Sequence, residues 1–314
     1  VDGQGGSGDT LDYTPYTTPV NVNLSSKATL GVSAFFATSM TGVLNIQNIL
    51  GGSADDILIG NSDDNVITGN GGNDMLLGGS GDDRFVFGDN WGTADVIVED
   101  TDKGTDTVDF STATVNLTFA VEANTVSDSV NLLTYSAGNI EKLVGGSGDD
   151  NFVFADGVTF NGVATAIDGQ GGTDTLDFSA YTTALSFTLT DGGNLTGFAG
   201  SVAQVVGDFT NIDNLLGGSA DDTLTGLGVD STWALSDMDH GVYTSASTGA
   251  NALSFTSIQS LVGLAGADQF VFADNAAVTG TLDGGAGTDT LDYTAYTTTV
   301  TVGLGEGTAT GTGG

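Results

Sequence analysis

Residues 51–86 contain four nonapeptides in direct succession, which read GGSADDILI, GNSDDNVIT, GNGGNDMLL and GGSGDDRFV. Each begins with glycine, carries Asp or Asn at its sixth position and has an apolar residue at its eighth. Glycine permits tight turns and close approach of neighbouring backbones, which a Cβ would obstruct. The apolar segments are short and contain residues typical of buried strands. The tract therefore predicts short strands separated by Gly-Asp turns at a fixed period.

Related motifs recur along the rest of the chain at longer intervals. A Gly-rich lead followed by Asp-Thr-(Leu/Val)-Asp-(Tyr/Phe) is centred on Asp9, Asp106, Asp174 and Asp289. A second type reads Gly-Gly-Ser-(Ala/Gly)-Asp-Asp, and its second Asp is Asp56, Asp83, Asp150 or Asp222, with a weaker copy at Asp268. Intervals such as Asp174 to Asp222 are twice as long as intervals such as Asp150 to Asp174. We interpret the long intervals as two coils, so the fold class predicted is all-β, a parallel β-solenoid with coils of about 18 to 24 residues.

Flanking residues keep the same register in each copy. Ile46, Ile140, Ile212 and Ile258 each lie the same distance before the Asp of their motif, and Tyr16, Tyr181 and Tyr296, each followed by Thr-Thr, lie at one constant distance after theirs. This constancy predicts equivalent stacked rungs and one continuous solenoid over residues 1–314, with the nonapeptide tract at 51–86. The apolar stretch at 31–40 is interpreted as a strand of this repeat rather than a signal peptide.

The charge of the chain is extreme. Forty acidic residues face four basic ones, giving a formal net charge of -36, while 39% of residues are hydrophobic. The apolar content argues against disorder. Such a surface repels nucleic acid and anionic membranes and attracts cations, and no apolar stretch approaches the roughly 18 residues of a membrane span. The chain has no cysteine, so disulfides do not contribute.

Stacked turns bring their sixth-position side chains together. Rungs about 4.8 Å apart would place carboxylates at about 5 Å, where they repel by roughly 3 kcal/mol at an effective dielectric of 20. Calcium accepts irregular sets of carboxylate and carbonyl oxygens, and we predict several Ca²⁺ ions whose binding is coupled to folding. The candidate ligands are Asp9, Asp56, Asn65, Asp74, Asp83, Asp106, Asp150, Asp174, Asp222, Asp268 and Asp289. For isolated motifs such as Asp150 and Asp268, Asp that only caps a turn is the alternative, and Asp12, Asp177 and Asp292 are expected on a solvated strand face.

The tract at 51–86 resembles the repeats-in-toxin (RTX) nonapeptide family. The resemblance implies a parallel β-roll in which two nonapeptides form one turn and calcium lies between stacked loops, held by sixth-position Asp and backbone carbonyls. It implies that Asp56 stacks on Asp74, and Asn65 on Asp83, the second pair forming a weaker or vacant site because Asn is neutral. Elsewhere the motifs lie in longer coils, as in large RTX-like surface proteins. Asp56 and Asp83 are three nonapeptides apart, which puts them on opposite edges and leaves open how the long coils absorb the half-turn.

The chain has few side chains suited to acid–base catalysis, and we expect no enzyme activity. His240 is the only histidine, Lys27, Arg84, Lys103 and Lys142 are scattered, and no pair of Asp stands out as acid and base. The Thr-Thr pairs suggest an ice-binding array or simply β propensity. Trp91 and Trp233 suggest a sugar site or packing at coil insertions.

These features favour a structural role outside the cell, where calcium is abundant: an adhesin stalk, a surface layer or an extracellular filament. The alternatives are a calcium-folded accessory region of a secreted enzyme or toxin, and a polysaccharide-binding module. Because both ends lie inside the repeat, we expect a window of a longer protein or a subunit that stacks end to end or laterally. The expected partners are therefore calcium, further copies of the chain and surface polysaccharide, but not nucleic acid.

Overall fold

The computed structural model describes residues 2–4, 6, 8–25, 43, 45–99, 104–160, 166–203, 206–249, 251–303 and 308–312. The strand expected at 31–40 lies outside the described residues, as do Lys27 and Lys103. Two compact units, Val1–Gly148 and Asp149–Gly314, make up the chain. All regular elements among the described residues are β-strands. In this part of the chain there is accordingly no helix that could cross a membrane.

Unit 1 consists of two sheets. Its strands are β1 (Thr10–Asp12), β2 (Asn21–Asn23), β3 (Asn48–Leu50), β4 (Ile57–Ile59), β5 (Val66–Thr68), β6 (Met75–Leu77), β7 (Arg84–Val86), β8 (Asp95–Ile97), β9 (Thr107–Asp109), β10 (Thr118–Ala120), β11 (Thr125–Ser127), β12 (Leu132–Tyr135) and β13 (Lys142–Val144). Sheet A is the parallel series β1-β3-β5-β7-β9-β13. Sheet B is the parallel series β2-β4-β6-β8-β12, to which β11 and β10 add antiparallel. From β1 to β9 the chain alternates between the two sheets, as in a roll.

Unit 2 has the same two-sheet plan with more antiparallel pairing. Its strands are β14 (Asn151–Val153), β15 (Ile167–Asp168), β16 (Thr175–Asp177), β17 (Ser186–Gly192), β18 (Phe198–Val202), β19 (Val206–Ile212), β20 (Asn214–Leu216), β21 (Thr223–Thr225), β22 (Ser231–Asp237), β23 (His240–Ser245), β24 (Ala252–Thr256), β25 (Ser260–Val262), β26 (Ala265–Gly266), β27 (Asp268–Phe272), β28 (Leu282–Asp283), β29 (Ala286–Gly287), β30 (Thr290–Asp292), β31 (Val302–Gly303) and β32 (Thr308–Ala309). Sheet C has the order β15-β19-β18-β17-β21-β25-β28. Sheet D has the order β14-β16-β20-β24-β23-β22-β27-β30. Two small pairs, β26-β29 and β31-β32, complete the unit.

The nonapeptide tract forms the predicted turn of two nonapeptides. Leu58 pairs with Leu76 in sheet B, and Ile67 pairs with Phe85 in sheet A. These four eighth-position side chains have 0% exposure, so the predicted inward row is confirmed. Because successive strands belong to opposite sheets, alternate nonapeptides lie on opposite edges of the roll.

In three of the four long intervals the chain does not form two plain coils, and there that prediction is wrong; the fourth, from Asp9 to Asp56, includes residues outside the described part of the chain. Three antiparallel meanders, β10-β11-β12, β17-β18-β19 and β22-β23-β24, each replace a single strand. The chain reverses direction at residues that tolerate left-handed backbone, among them Asn124 (φ 53°) and Asp239 (φ 56°). The extra residues of a long interval therefore fold back within one sheet instead of making another coil.

The meanders also explain the half-turn left open by the sequence. From Asp174, which precedes β16 of sheet D, the chain passes through one meander in sheet C and one strand of sheet D before Asp222, which precedes β21 of sheet C. From Asp222 to Asp268 a second meander returns the motif to sheet D. Each of these intervals is therefore one and a half turns, and it moves the motif to the opposite edge.

Both tryptophans pack in the interior. This confirms the interpretation of both as packing residues and not as part of a sugar site. Trp233 has 0% exposure and stacks on Phe270 with ring centroids 5.7 Å apart. Trp91 has 5% exposure and meets Phe110 edge to face at 5.1 Å. Thr182 of the Tyr-Thr-Thr turn donates its hydroxyl to Asp156 (2.8 Å), so this hydroxyl binds an earlier turn of the chain instead of standing free.

Candidate metal centres

Every predicted ligand lies at the start of a strand, where the glycine-rich turn ends. Asp268 is the first residue of β27, and each of the others immediately precedes its strand. Nine of the eleven are buried, with exposure of 6% or less: Asp56, Asn65, Asp74, Asp83, Asp106, Asp150, Asp174, Asp222 and Asp268. Asp9 is half-buried and Asp289 is exposed. Burial of so many carboxyl groups in a chain with almost no cations requires an electrostatic partner.

The sixth-position residues of successive turns form hydrogen-bonded ladders along the sheet edges. Along sheet B, the backbone N–H of Asp56 donates to Asp74 Oδ1 (2.8 Å), and that of Asp74 donates to Asp95 Oδ1 (2.8 Å). Along sheet A, Asn65 N–H donates to Asp83 Oδ1 (2.7 Å), and Asp83 N–H donates to Asp106 Oδ1 (2.9 Å). The stacking implied by the family resemblance is thus present.

Unit 2 repeats the arrangement with isolated motifs. Asp150 N–H donates to Asp174 Oδ1 (2.9 Å), and Asp268 N–H donates to Asp289 Oδ1 (3.1 Å). Each carboxylate therefore points back toward the preceding turn on its edge. We call the space between two consecutive turns on one edge a junction, and name it by the sixth-position residue of the later turn.

Sequence reasoning missed five members of these ladders. Asp95 closes a shortened motif, Gly92-Thr93-Ala94-Asp95. The other four directly follow the isoleucines that keep register, and each accepts the backbone N–H of the preceding sixth-position Asp: Gln47, Glu141, Asp213 and Gln259. Their constant place after isoleucine was the available signal. It was hidden because these side chains differ in charge and no glycine lead precedes them.

Several of these carboxylates keep one buried oxygen without a hydrogen-bond donor in the described part of the chain. These atoms are Oδ2 of Asp9, Asp74, Asp83, Asp174 and Asp268. Each adjoins the first glycine of its own motif, so closely that a Cβ on Gly69 or Gly169 would collide with Asp74 Oδ2 or Asp174 Oδ2. Backbone carbonyls reach the same space, since a Cβ on Gly51 would lie 2.5 Å from the carbonyl oxygen of Gly69.

This donor set fits calcium. Orphaned carboxylate oxygens and carbonyl oxygens are hard ligands, and their irregular arrangement suits a flexible coordination sphere. Within the described residues, no group of three or more His, Cys, Asp and Glu side chains gathers around one point. Each centre would therefore combine one or two carboxylates with backbone carbonyls of two turns.

Burial raises the pKa of these carboxyl groups. The pKa rises to about 7 for Asp74 and to about 8 for Asp83 and Asp174, mainly by desolvation and further by neighbouring carboxylates. The pKa of Asp95 and that of Asp106 rise to about 6, again mainly by desolvation. The charged form is thus disfavoured, which is the condition that a bound divalent cation relieves.

Outside the ladders, the charged candidates have ordinary structural roles. Arg84 pairs with Asp109 through Nε and Oδ2 (2.5 Å), as expected for a residue that neutralises local acidity. Asp12, Asp177 and Asp292 each end a strand and accept the backbone N–H two residues later. His240 begins β23, after the reversal between two meander strands, and its Nδ1 lies 2.5 Å from the Met238 carbonyl oxygen.

Comparison with known families gives two matches. A model of the RTX calcium-binding nonapeptide repeat matches four copies, at residues 50–85 and 281–295. A model of the C-terminal region of serralysin, a peptidase of the M10 family, matches residues 161–282. A search of curated proteins found no match.

Proposed function

The chain carries RTX calcium-binding nonapeptide repeats and a serralysin C-terminal region, as RTX-family secreted proteins do, and from this we propose that it is the calcium-folded accessory region of a secreted enzyme or toxin. It binds several Ca²⁺ ions. The observation that supports the proposal most directly is the row of buried Asp side chains whose second oxygens lack donors.

The chain's own residues make folding depend on the metal. Sixth-position side chains such as Asp74 and Asp174 accept one backbone N–H from the preceding turn and hold the other oxygen in the junction, beside glycine carbonyls. When bound, calcium supplies the positive charge that the four basic residues of the chain cannot provide. Without it, adjacent buried carboxylates repel one another and must be desolvated unpaired. Binding free energy then becomes folding free energy.

Secretion is consistent with this coupling. Proteins that contain RTX and serralysin-type domains are typically exported by type I secretion. A segment that folds only in high calcium stays unfolded in the cytosol and becomes ordered outside the cell. We therefore place its working location outside the cell.

We further propose that residues 1–314 are not themselves catalytic. The ladder carboxylates occupy equivalent positions in turn after turn, so none is set apart for proton transfer. The family matches favour the accessory role over the stalk, surface layer or filament. Stacking of copies and binding of polysaccharide stay predictions.

Calcium-dependent folding is tested by circular dichroism during titration from EGTA into calcium. We expect the β signal and the melting temperature to rise together with calcium and to return on chelation. Magnesium at equal concentration is the control, because its octahedral geometry and tightly held water suit this donor set poorly. An unchanged spectrum and melting temperature would show that calcium does not fold the chain.

The accessory role is tested in the native gene product. Deletion of residues 1–314 should lower the yield of folded secreted protein in calcium-containing medium. If folding and secretion are unaffected while surface attachment is lost, the stalk is correct and the accessory role is wrong.

A further inference from the structure

The junctions of the ladders are of two kinds. In open junctions the second carboxylate oxygen has no donor, as at Asp74, Asp83 and Asp174. In closed junctions both oxygens accept backbone N–H groups, as at Asp56 and Asp222. All five side chains are at most 2% exposed, so the difference lies in their partners and not in burial.

Closed junctions are satisfied entirely by the protein. Asp56 Oδ1 accepts Val20 N–H (2.8 Å) and Oδ2 accepts Gly52 N–H (2.7 Å). In unit 2, Asp222 accepts Leu185 N–H (2.7 Å) and Gly218 N–H (2.7 Å) in the same way. Two charge-assisted hydrogen bonds stabilise each carboxylate.

At Asp56 and Asp222 the turn that precedes the closed junction is a Tyr-Thr-Thr turn. Ser53 N–H donates to the carbonyl oxygen of Tyr16 (3.0 Å), and Ser219 N–H donates to that of Tyr181 (2.9 Å). A Cβ on Gly218 would collide with the same Tyr181 carbonyl. These carbonyl oxygens are therefore occupied by the serine amides of the following turn.

Open junctions differ in the backbone four residues before the Asp. The residue at that position is left-handed in each case: Asn70 (φ 66°), Gly79 (φ 115°) and Gln170 (φ 68°). Gly52 and Gly218, at the same position of the closed motifs, have no positive φ. The amide that would otherwise donate to the carboxylate is thus turned away, and the carbonyl oxygens of Gly69 and Gly78 crowd the first glycine of the preceding turn.

Open junctions also join two glycine-aspartate turns, so the preceding turn adds acidic groups. Asn73 N–H donates to Asp55 Oδ1 (2.8 Å), and Thr173 N–H donates to Asp149 Oδ1 (2.8 Å), across the Asp74 and Asp174 junctions respectively. An open junction therefore holds more negative charge and fewer donors than a closed one.

We infer that calcium occupies the open junctions at Asp74, Asp83 and Asp174, and that the closed junctions at Asp56 and Asp222 are metal-free contacts in which a Tyr-Thr-Thr turn takes the place of the ion. The inference rests on the proposed calcium-dependent folding and adds which motifs bind. The motif Gly-Gly-Ser-Ala-Asp-Asp at 51–56 then joins a metal-free contact, at Asp56, to a calcium-bound one, at Asp74.

Native mass spectrometry of the full chain in calcium counts the ions and tests this assignment. D74N and D174N should each bind one ion fewer than the unmodified chain, because Asn keeps an acceptor for the ladder but removes the charged oxygen. The matched controls D56N and D222N should bind the same number as the unmodified chain. Loss of an ion from D56N or D222N overturns the inference, as does an unchanged count in D74N and D174N.

Anomalous diffraction from the unmodified chain crystallised with calcium provides a measurement that does not depend on variants folding. Peaks are expected in the junctions at Asp74, Asp83 and Asp174, and a peak at Asp56 or Asp222 contradicts the assignment. Failure of the proposed function has a different signature, since the unmodified chain would then bind no ions at all.

Discussion

The nonapeptide tract of unit 1 and the meander β22-β23-β24 of unit 2 stabilise neighbouring strands by different means. In the tract, three-residue strands bury small rows such as Leu58 and Leu76, and buried carboxylates stack at the turns. In the meander, strands of five to seven residues bury Trp233, Tyr243 and Phe255. We therefore expect the tract to depend on a bound cation and the meander to depend on apolar burial.

Calcium removal should separate the two regions most strongly. In EGTA we expect amides of residues 57–86 to lose about 100-fold or more of their hydrogen-exchange protection, the effect of losing a ligand held at 100 times its dissociation constant. Amides of residues 231–256 should change less, because their contacts are aromatic and antiparallel. Exchange measured by mass spectrometry in calcium and in EGTA checks this, and equal loss in both regions would refute the comparison.

Truncation of Trp233 should destabilise the chain to the same extent with and without calcium. Its ring lies 4.5 Å from that of Tyr243 and is fully buried, so Trp233→Ala should cost about 3–5 kcal/mol through lost burial and a cavity. Urea unfolding should give nearly the same loss in calcium and in EGTA. Leu76→Ala is the matched variant in the tract, and its loss, about 2–5 kcal/mol, should be largest in calcium, because at neutral pH the calcium-free tract is only weakly folded. A Trp233→Ala loss confined to calcium would contradict the assignment of the meander.

The same contrast explains which parts of the fold could be predicted from the sequence. The tract was predictable because its period is local: glycine, aspartate and the inward apolar residue recur in every nonapeptide. The meanders were not, since the alternation in residues 231–245 indicates strands but not that they turn back on each other. Likewise, the difference between Asp56 and Asp74 depends on the turn stacked before each, which for Asp56 lies far back in the sequence, at Val20.

Proton binding should stabilise the calcium-free tract. The pKa of Asp74 is raised to about 7 by burial and by Asp95, Asp56 and Asp55, and that of Asp83 to about 8 by burial and by Asp106, Glu99 and Asp64. A carboxyl group whose folded pKa exceeds its unfolded value stabilises the fold when protonated, and this stability is lost as pH rises through the folded pKa. In EGTA the melting temperature of the tract should therefore fall between pH 5 and about pH 8.

Calcium reverses that trend, because protons compete with the ion for the same oxygens. In saturating calcium the melting temperature should stay level or rise over the same interval. Thermal unfolding followed by circular dichroism, in EGTA and in saturating calcium, measures how the melting temperature changes with pH in each case. A calcium-free chain that becomes more stable as pH rises would show that these carboxylates are not buried and unpaired.

The smallest expected effect compares two asparagines of the tract, one facing a turn without an assigned ion and one beside an open junction. Asn65 Nδ2 donates to the Gln47 carbonyl oxygen (3.1 Å) while its Oδ1 accepts Asn61 N–H, so its side chain faces the Gln47 turn and not Asp83. Asn70 Nδ2 donates to the Gly51 carbonyl oxygen (2.8 Å) beside the open junction at Asp74.

Asn65→Asp and Asn70→Asp each replace a donor with a charged acceptor that faces a carbonyl oxygen, which should cost about 1–3 kcal/mol. Aspartate tolerates the left-handed backbone of residue 70 nearly as well as asparagine does. Saturating calcium should recover most of the loss for Asn70→Asp, because the new carboxylate adjoins a calcium junction, and none for Asn65→Asp. Urea titrations of the two variants in calcium measure the difference, and equal recovery would mean that calcium binds beside residue 65 as readily as beside the open junction at Asp74.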